Sequence, residues 1–274
     1  MNTEVAAWFG GAKRVMFVHA HPDDETIATG GTLAALAEAG LEPLLVTLTR
    51  GERGEVVSGP FSQLQGTDGL APHRQAELTA ALAMLGVERH VFLGVPPARA
   101  AELQPTIYED SGMQWLADGL AGPGAEATAD ALTVVPAVES LNDLLAAAHD
   151  AAAGAIVSYD DGGGYGHPDH VHAHRIARAV AYALDLPFWE IVPEAEGSGE
   201  QARPAAGNAS VDGDGDGAPP TLEVHDITPW LDRKTVALRA HATQLTVEGD
   251  EIVHVGGQRQ AISPVETFRF TAAS

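Results

Sequence analysis

The sequence predicts an α/β fold, a mostly parallel sheet with helices on both faces. Three observations point there. Short apolar runs lack polar alternation, as expected of strands covered on both sides. Longer segments carry apolar residues at helical spacing, and glycine stops several of them. Strands and helices alternate along the chain, and both His-rich segments fall where a strand hands over to a helix.

The first strand is read from residues 14–21, RVMFVHAH, an apolar run ending in polar residues, which places His21 at the strand's carboxyl end. Asp23 or Asp24 can cap the next helix, which runs through Thr32, Leu33, Leu36 and Ala37 until Gly40 stops it. Residues 44–48 form the second strand. A helix over about 72–85 carries Leu78, Leu82 and Leu85, and Gly86 ends it ahead of a strand at 90–93. After an irregular stretch, 141–153 reads as helix, 155–158 as strand, 170–184 as helix and 188–192 as a further strand. This order is Rossmann-like, and such sheets bind ligands beyond the carboxyl ends of their strands.

At 274 residues the chain fits one large domain better than two full-sized ones. We expect an α/β domain over 1–193, an acidic flexible insertion over 194–220, and a C-terminal extension over 221–274 that completes the domain and its pocket. The insertion is too poor in apolar residues to offset the entropy of ordering it. Its VDGDGDG resembles a calcium loop only superficially, because Ala218, Pro219 and Pro220 follow where a bidentate Glu is needed.

With 45% hydrophobic and 19% charged residues, the composition is that of a folded enzyme. The absence of cysteine excludes disulfides, thiolate metal sites and a cysteine nucleophile, so any metal must use His, Asp or Glu. A formal charge of −23 repels phosphate backbones and anionic surfaces, which argues against nucleic acid and membrane partners. No signal-like or membrane-length apolar segment stands out, so the expectation is a soluble, cytoplasmic protein.

Two clusters carry the chemistry. The first, His19-Ala-His21-Pro22-Asp23-Asp24-Glu25, sits at a strand-to-helix turn that Pro22 stiffens. His19 reads as a core residue; Asp23 and Asp24 together are more than helix caps. The second spans 162–174 and holds His167, His170, His172 and His174. His172 and His174 fall inside the helix and read as structural or solvent-facing, whereas His167 and His170 sit at the turn. Clusters meeting at neighbouring strand ends supply imidazole and carboxylate to one cation and leave positions open for water and substrate, the layout of a catalytic zinc site. Fe(II), Mn or Co would accept the same ligand types. A carboxylate beside the ligands would serve as the base.

The chain here resembles the LmbE-like, or PIG-L-like, de-N-acetylases, whose AHPDDE and HPDH motifs match Ala20 to Glu25 and His167 to His170. FVHAHPDDE, GEVVSG, RQAELTAAL, DSGM, GGYGHPDHVHAH and AHATQ are similar to the mycothiol-pathway branch, over about the first 190 residues and again from near Asp226. The resemblance implies one Zn2+ per chain held by His21, Asp24 and His170, with Asp23 as the base. It implies that Tyr165 polarises the amide carbonyl, that His167, oriented by Asp169, supports the intermediate or the departing amine, and that Arg74 and Asp110 bind substrate. Arg74 would otherwise read as a surface residue of its helix, and a register shift would put Glu109 in place of Asp110. The implied reaction is deacetylation of N-acetylglucosaminyl-inositol, a small amino-sugar conjugate. The rivals are a mycothiol S-conjugate amidase and, in another class, a noncatalytic carbohydrate-binding protein.

Overall fold

The computed structural model describes residues 4–115, 121–193 and 221–271. In chain order the elements are α1 Trp8–Gly11, β1 Val15–His19, α2 Asp24–Glu38, β2 Leu44–Thr47, α3 Leu70–Leu85, β3 Arg89–Phe92, β4 Gln114–Trp115 and β5 Ala121–Gly122. There follow α4 Ala137–Ala151, β6 Ala155–Ser158, α5 Pro168–Ala183, β7 Phe188–Ile191, β8 Leu222–Asp226, α6 Leu231–Leu238, β9 Leu245–Glu248, β10 Glu251–His254, β11 Arg259–Ala261 and β12 Val265–Thr271. The acidic stretch 194–220 lies outside the described residues.

The main sheet has the order β3-β2-β1-β6-β7-β12-β8. The first five strands pair in parallel; β12 runs antiparallel to both β7 and β8. The sheet is therefore mostly parallel, as its apolar runs require, with an antiparallel edge from residues near the C-terminus. Alternation along β1 shows why no polar face appears. Val15 and Phe17 enter one hydrophobic cluster, with Leu33, Leu36, Leu78 and Leu82 of α2 and α3. Met16 and Val18 enter the other, with Leu144 of α4 and Ile176 and Val180 of α5. Each strand residue thus meets a helix layer on its own side.

Helix ends follow the expected chemistry. Gly40 takes φ 73° as Leu41 N–H reaches back to Leu36 O at 3.0 Å. Gly86, at φ 77°, does the same for α3, with Val87 N–H bonded to Leu82 O. The helices themselves begin earlier than the sequence reading placed them, at Leu70, Ala137 and Pro168.

Helix α2 is clamped from the C-terminal residues. At Gly31 a Cβ would lie 2.5 Å from the Ile227 side chain, so only glycine permits that approach. Glu266 accepts the N–H groups of Gly31 and Thr32 at 2.9 and 2.8 Å, and its Oε1 takes Lys234 Nζ at 2.8 Å. Both side chains of the ion pair are buried. Lys234→Met would leave the Glu266 carboxylate buried without its cation, and is expected to destabilise the protein by roughly 3–5 kcal/mol. Urea unfolding midpoints measure this; a change under about 1 kcal/mol would show that the two backbone donors suffice.

Candidate functional site

The chain leaves β1 toward β2 and β3 on one side and returns to β6 and β7 on the other, so the loops diverge where β1 meets β6. The functional side chains gather there. His21 lies two residues past β1, and Asp23 and Asp24 open α2. Tyr159 follows β6 directly, and His167, Asp169 and His170 stand at the start of α5, with Pro168 in its first turn.

Three of these residues form a tight triangle. His21 Nδ1 is 3.2 Å from Asp24 Oδ2, His170 Nε2 is 3.3 Å from the same oxygen, and the two ring nitrogens are 3.4 Å apart. Tetrahedral ligands at about 2.0–2.1 Å from a zinc-sized ion sit roughly 3.3 Å from one another. The tautomers follow from the outer partners. His21 Nε2 faces the Asp169 carboxylate at 3.1 Å, and His170 Nδ1 faces Gly163 O at 3.2 Å. Both partners only accept, so those nitrogens carry the protons. The remaining lone pairs of His21 Nδ1 and His170 Nε2 then converge on a carboxylate oxygen, an arrangement that a bound cation would satisfy. His21 points the same way: burial lowers its pKa, yet Asp110, Asp169 and Asp24 together raise it well above the usual imidazole value. The donor set fits a divalent cation. His21, His167 and His170 also bring ligand atoms within 4.8 Å of one another, as do His21, Asp110 and Asp169.

Asp23 stands apart from the triangle. Its backbone takes φ 122° and ψ −34°, a strained conformation for a residue with a side chain. Glu25 holds it, accepting Asp23 N–H at 3.0 Å on Oε2, while Glu25 Oε1 meets the Thr26 hydroxyl and His241 Nε2, the latter at 3.1 Å. Arg74 Nη2 lies 3.3 Å from Asp23 Oδ1. Burial raises the Asp23 carboxyl to about 6, against the pull of Arg74. Neither expected cap forms. The Asp23 side chain accepts no first-turn N–H, and Asp24 Oδ2 instead takes His21 N–H at 2.9 Å and the Tyr159 hydroxyl at 2.7 Å.

His167, Tyr165 and Asp110 flank His21 and His170. His167 Nδ1 accepts from Asp169 N–H at 3.2 Å, which leaves its Nε2–H as a donor. Burial, with His21 and His170 nearby, lowers its pKa to about 3, so the ring is neutral. Tyr165 is 58% exposed, with its ring edge-on to His170 at 5.1 Å and to His167 at 6.0 Å. Asp110 Oδ1 lies 3.6 Å from His21 Nε2 and accepts Gly112 N–H at 2.7 Å.

Several expectations need correction. The Asp169 carboxylate reaches His21 and Ser111 N–H (2.9 Å); only its backbone N–H meets His167. Arg74 is no surface residue: it is 3% exposed, and Nη1 donates to Gly51 O at 2.9 Å. Its guanidinium faces Asp23, with Nε left without a partner. Asp110 turns toward His21, while Glu109 pairs with Arg53 at 3.2 Å. His172 and His174 are structural, bonded to the Ser140 hydroxyl and Tyr159 O at 2.9 Å each. His19 is buried against Thr29. Tyr159, Ser111 and His241 were missed. His241 lies within AHATQ, a motif to which the sequence alone attached no role.

A family model described as GlcNAc-PI de-N-acetylase (PIG-L) matches residues 16–181. A protein of Kineococcus radiotolerans named 1D-myo-inositol 2-acetamido-2-deoxy-alpha-D-glucopyranoside deacetylase is 38% identical, over 94% of this chain and 77% of its own length. One of the same name from Nocardiopsis dassonvillei is 38% identical over 92% of each chain. Among solved structures, the A40926 pseudoaglycone deacetylase Dbv21 shares the fold at TM-score 0.61 and 17% identity, covering 96% of this chain and 98% of that one.

Proposed function

Because the chain belongs to the PIG-L family of de-N-acetylases, we propose that it hydrolyses the acetamide of N-acetylglucosaminyl-inositol, a step of mycothiol biosynthesis, with one Zn2+ held by His21, Asp24 and His170. The observation that carries the metal reading is the triangle of 3.2, 3.3 and 3.4 Å formed by His21 Nδ1, Asp24 Oδ2 and His170 Nε2. The substrate follows from relatives 38% identical over nearly the whole chain that bear that activity in their names.

A cation at this site supplies Lewis acidity to the acetamide carbonyl and acidifies water at neutral pH. The protein does the rest. Asp23, beside the triangle but outside it, takes the proton of the attacking water, and its raised pKa suits a base that must later release that proton. His167 Nε2–H and the Tyr165 hydroxyl donate to the carbonyl oxygen as negative charge develops there. The proton gained by Asp23 passes to the leaving nitrogen, so that water and the amide yield acetate and the free amine. Asp169 fixes the His21 ring through Nε2. Asp110, beside His21, and Arg74, beside Asp23, are assigned to substrate binding.

Acetate release from N-acetylglucosaminyl-inositol tests the activity. We expect turnover of this substrate to exceed that of a bimane S-conjugate of mycothiol by at least tenfold in kcat/KM. The opposite ranking would make the chain a conjugate amidase. Release from neither, by protein carrying its metal, would leave a carbohydrate-binding protein.

A further inference from the structure

We propose that Tyr159 is the positioning residue that aims two of the three cation ligands, Asp24 and His170, at the ion. The inference rests on the His21–Asp24–His170 site proposed above. Tyr159 sits one residue past β6, yet it touches both ligands, which come from α2 and α5. Its hydroxyl donates to Asp24 Oδ2 at 2.7 Å and accepts Ala20 N–H at 2.9 Å. Its ring stacks on the His170 imidazole, with centroids 4.1 Å apart and an interplanar angle of 12°.

The hydroxyl has one proton, and the backbone N–H of Ala20 occupies its acceptor side, so the proton is directed at Asp24. The oxygen it reaches is the same one that stands 3.3 Å from His170 Nε2 and 3.2 Å from His21 Nδ1. Rotation of the Asp24 carboxylate away from the triangle would break this bond and the bond from His21 N–H together. The stack does for His170 what the hydroxyl does for Asp24: it fixes the plane of the ring, while Gly163 O fixes the rotation within that plane. Tyr159 is itself held, by His19 edge-on at 5.5 Å and by His174, whose Nδ1 bonds Tyr159 O. Tyr159 is 6% exposed, whereas Tyr165 is 58% exposed, so Tyr159 acts through the ligands and not on substrate.

Losing an outer partner of a metal ligand typically weakens metal binding 10- to 100-fold. Tyr159→Phe removes the hydroxyl and keeps the stack. Titration of the metal-free protein with Zn2+ against a chromophoric chelator should show that loss for Tyr159→Phe, with the melting temperature of the metal-free protein close to wild type. Tyr159→Leu, which removes ring and hydroxyl, should bind more weakly still. An unchanged Zn2+ dissociation constant in the folded Phe variant overturns the proposal. Should the Phe variant not fold, Tyr159→Gln carries the test by the same measure: weaker Zn2+ binding supports the proposal and equal binding overturns it. Wild-type protein that binds no stoichiometric Zn2+, or a His170→Ala variant that binds it as well as wild type, would instead refute the underlying site.

Discussion

His170→Ala is expected to abolish metal binding and deacetylation together. His170 contributes Nε2 to the triangle, 3.3 Å from Asp24 Oδ2 and 3.4 Å from His21 Nδ1. His167 is the nearest imidazole, its ring centroid 5.0 Å away, but its Nδ1 is committed to the Asp169 N–H and its Nε2 carries a proton. Loss of a ligand should cost more affinity than the roughly 10- to 100-fold of losing a supporting partner. The fold should survive, because the N-terminus of α5 keeps Pro168 and the His167 cap, while Ile176 and Val180 remain in the core. Metal analysis after dialysis, beside circular dichroism, checks this. Full occupancy in a folded variant would remove His170 from the ligand set.

Asp23→Asn should separate metal binding from turnover. The substitution keeps the shape, and the carboxylate is not a member of the triangle, so metal content should match wild type. Turnover should fall roughly 100- to 10,000-fold, the range for losing general acid–base help, with a smaller change in KM. Asparagine caps a helix about as well as aspartate, so a cap would show almost no effect on rate; the structure already shows that the Asp23 side chain makes no cap bond. The pH dependence has a definite sign. A base works deprotonated, so activity should rise with pH through the Asp23 pKa, raised by burial to about 6. A cation bound next door favours the anion, which places the ascending limb at or below about pH 6. In the Asn variant the residual activity should lose that limb. A folded, metal-loaded variant with wild-type turnover would return Asp23 to a structural role.

The sequence by itself determined the local terms of this protein. The apolar runs specified buried parallel strands, Gly40 and Gly86 marked helix ends, and the two motifs put His21, Asp23, Asp24, His167 and His170 at strand-to-helix turns. These are short-range matters of propensity, periodicity and turn chemistry, legible within a dozen residues. Tertiary structure alone decided how the ligands are held and which neighbours tune them. Asp24 meets Tyr159 across 135 residues of chain, His21 meets Asp169 across 148, and Glu25 meets His241 across 216. The same holds for β12, which enters the sheet beside β7, and for Arg74, which turns inward to Asp23. Such contacts leave no periodic trace in the sequence, because a buried polar group is satisfied by whichever donor or acceptor the packing brings to it. That partner is chosen by the crossing of strands and helices far apart along the chain.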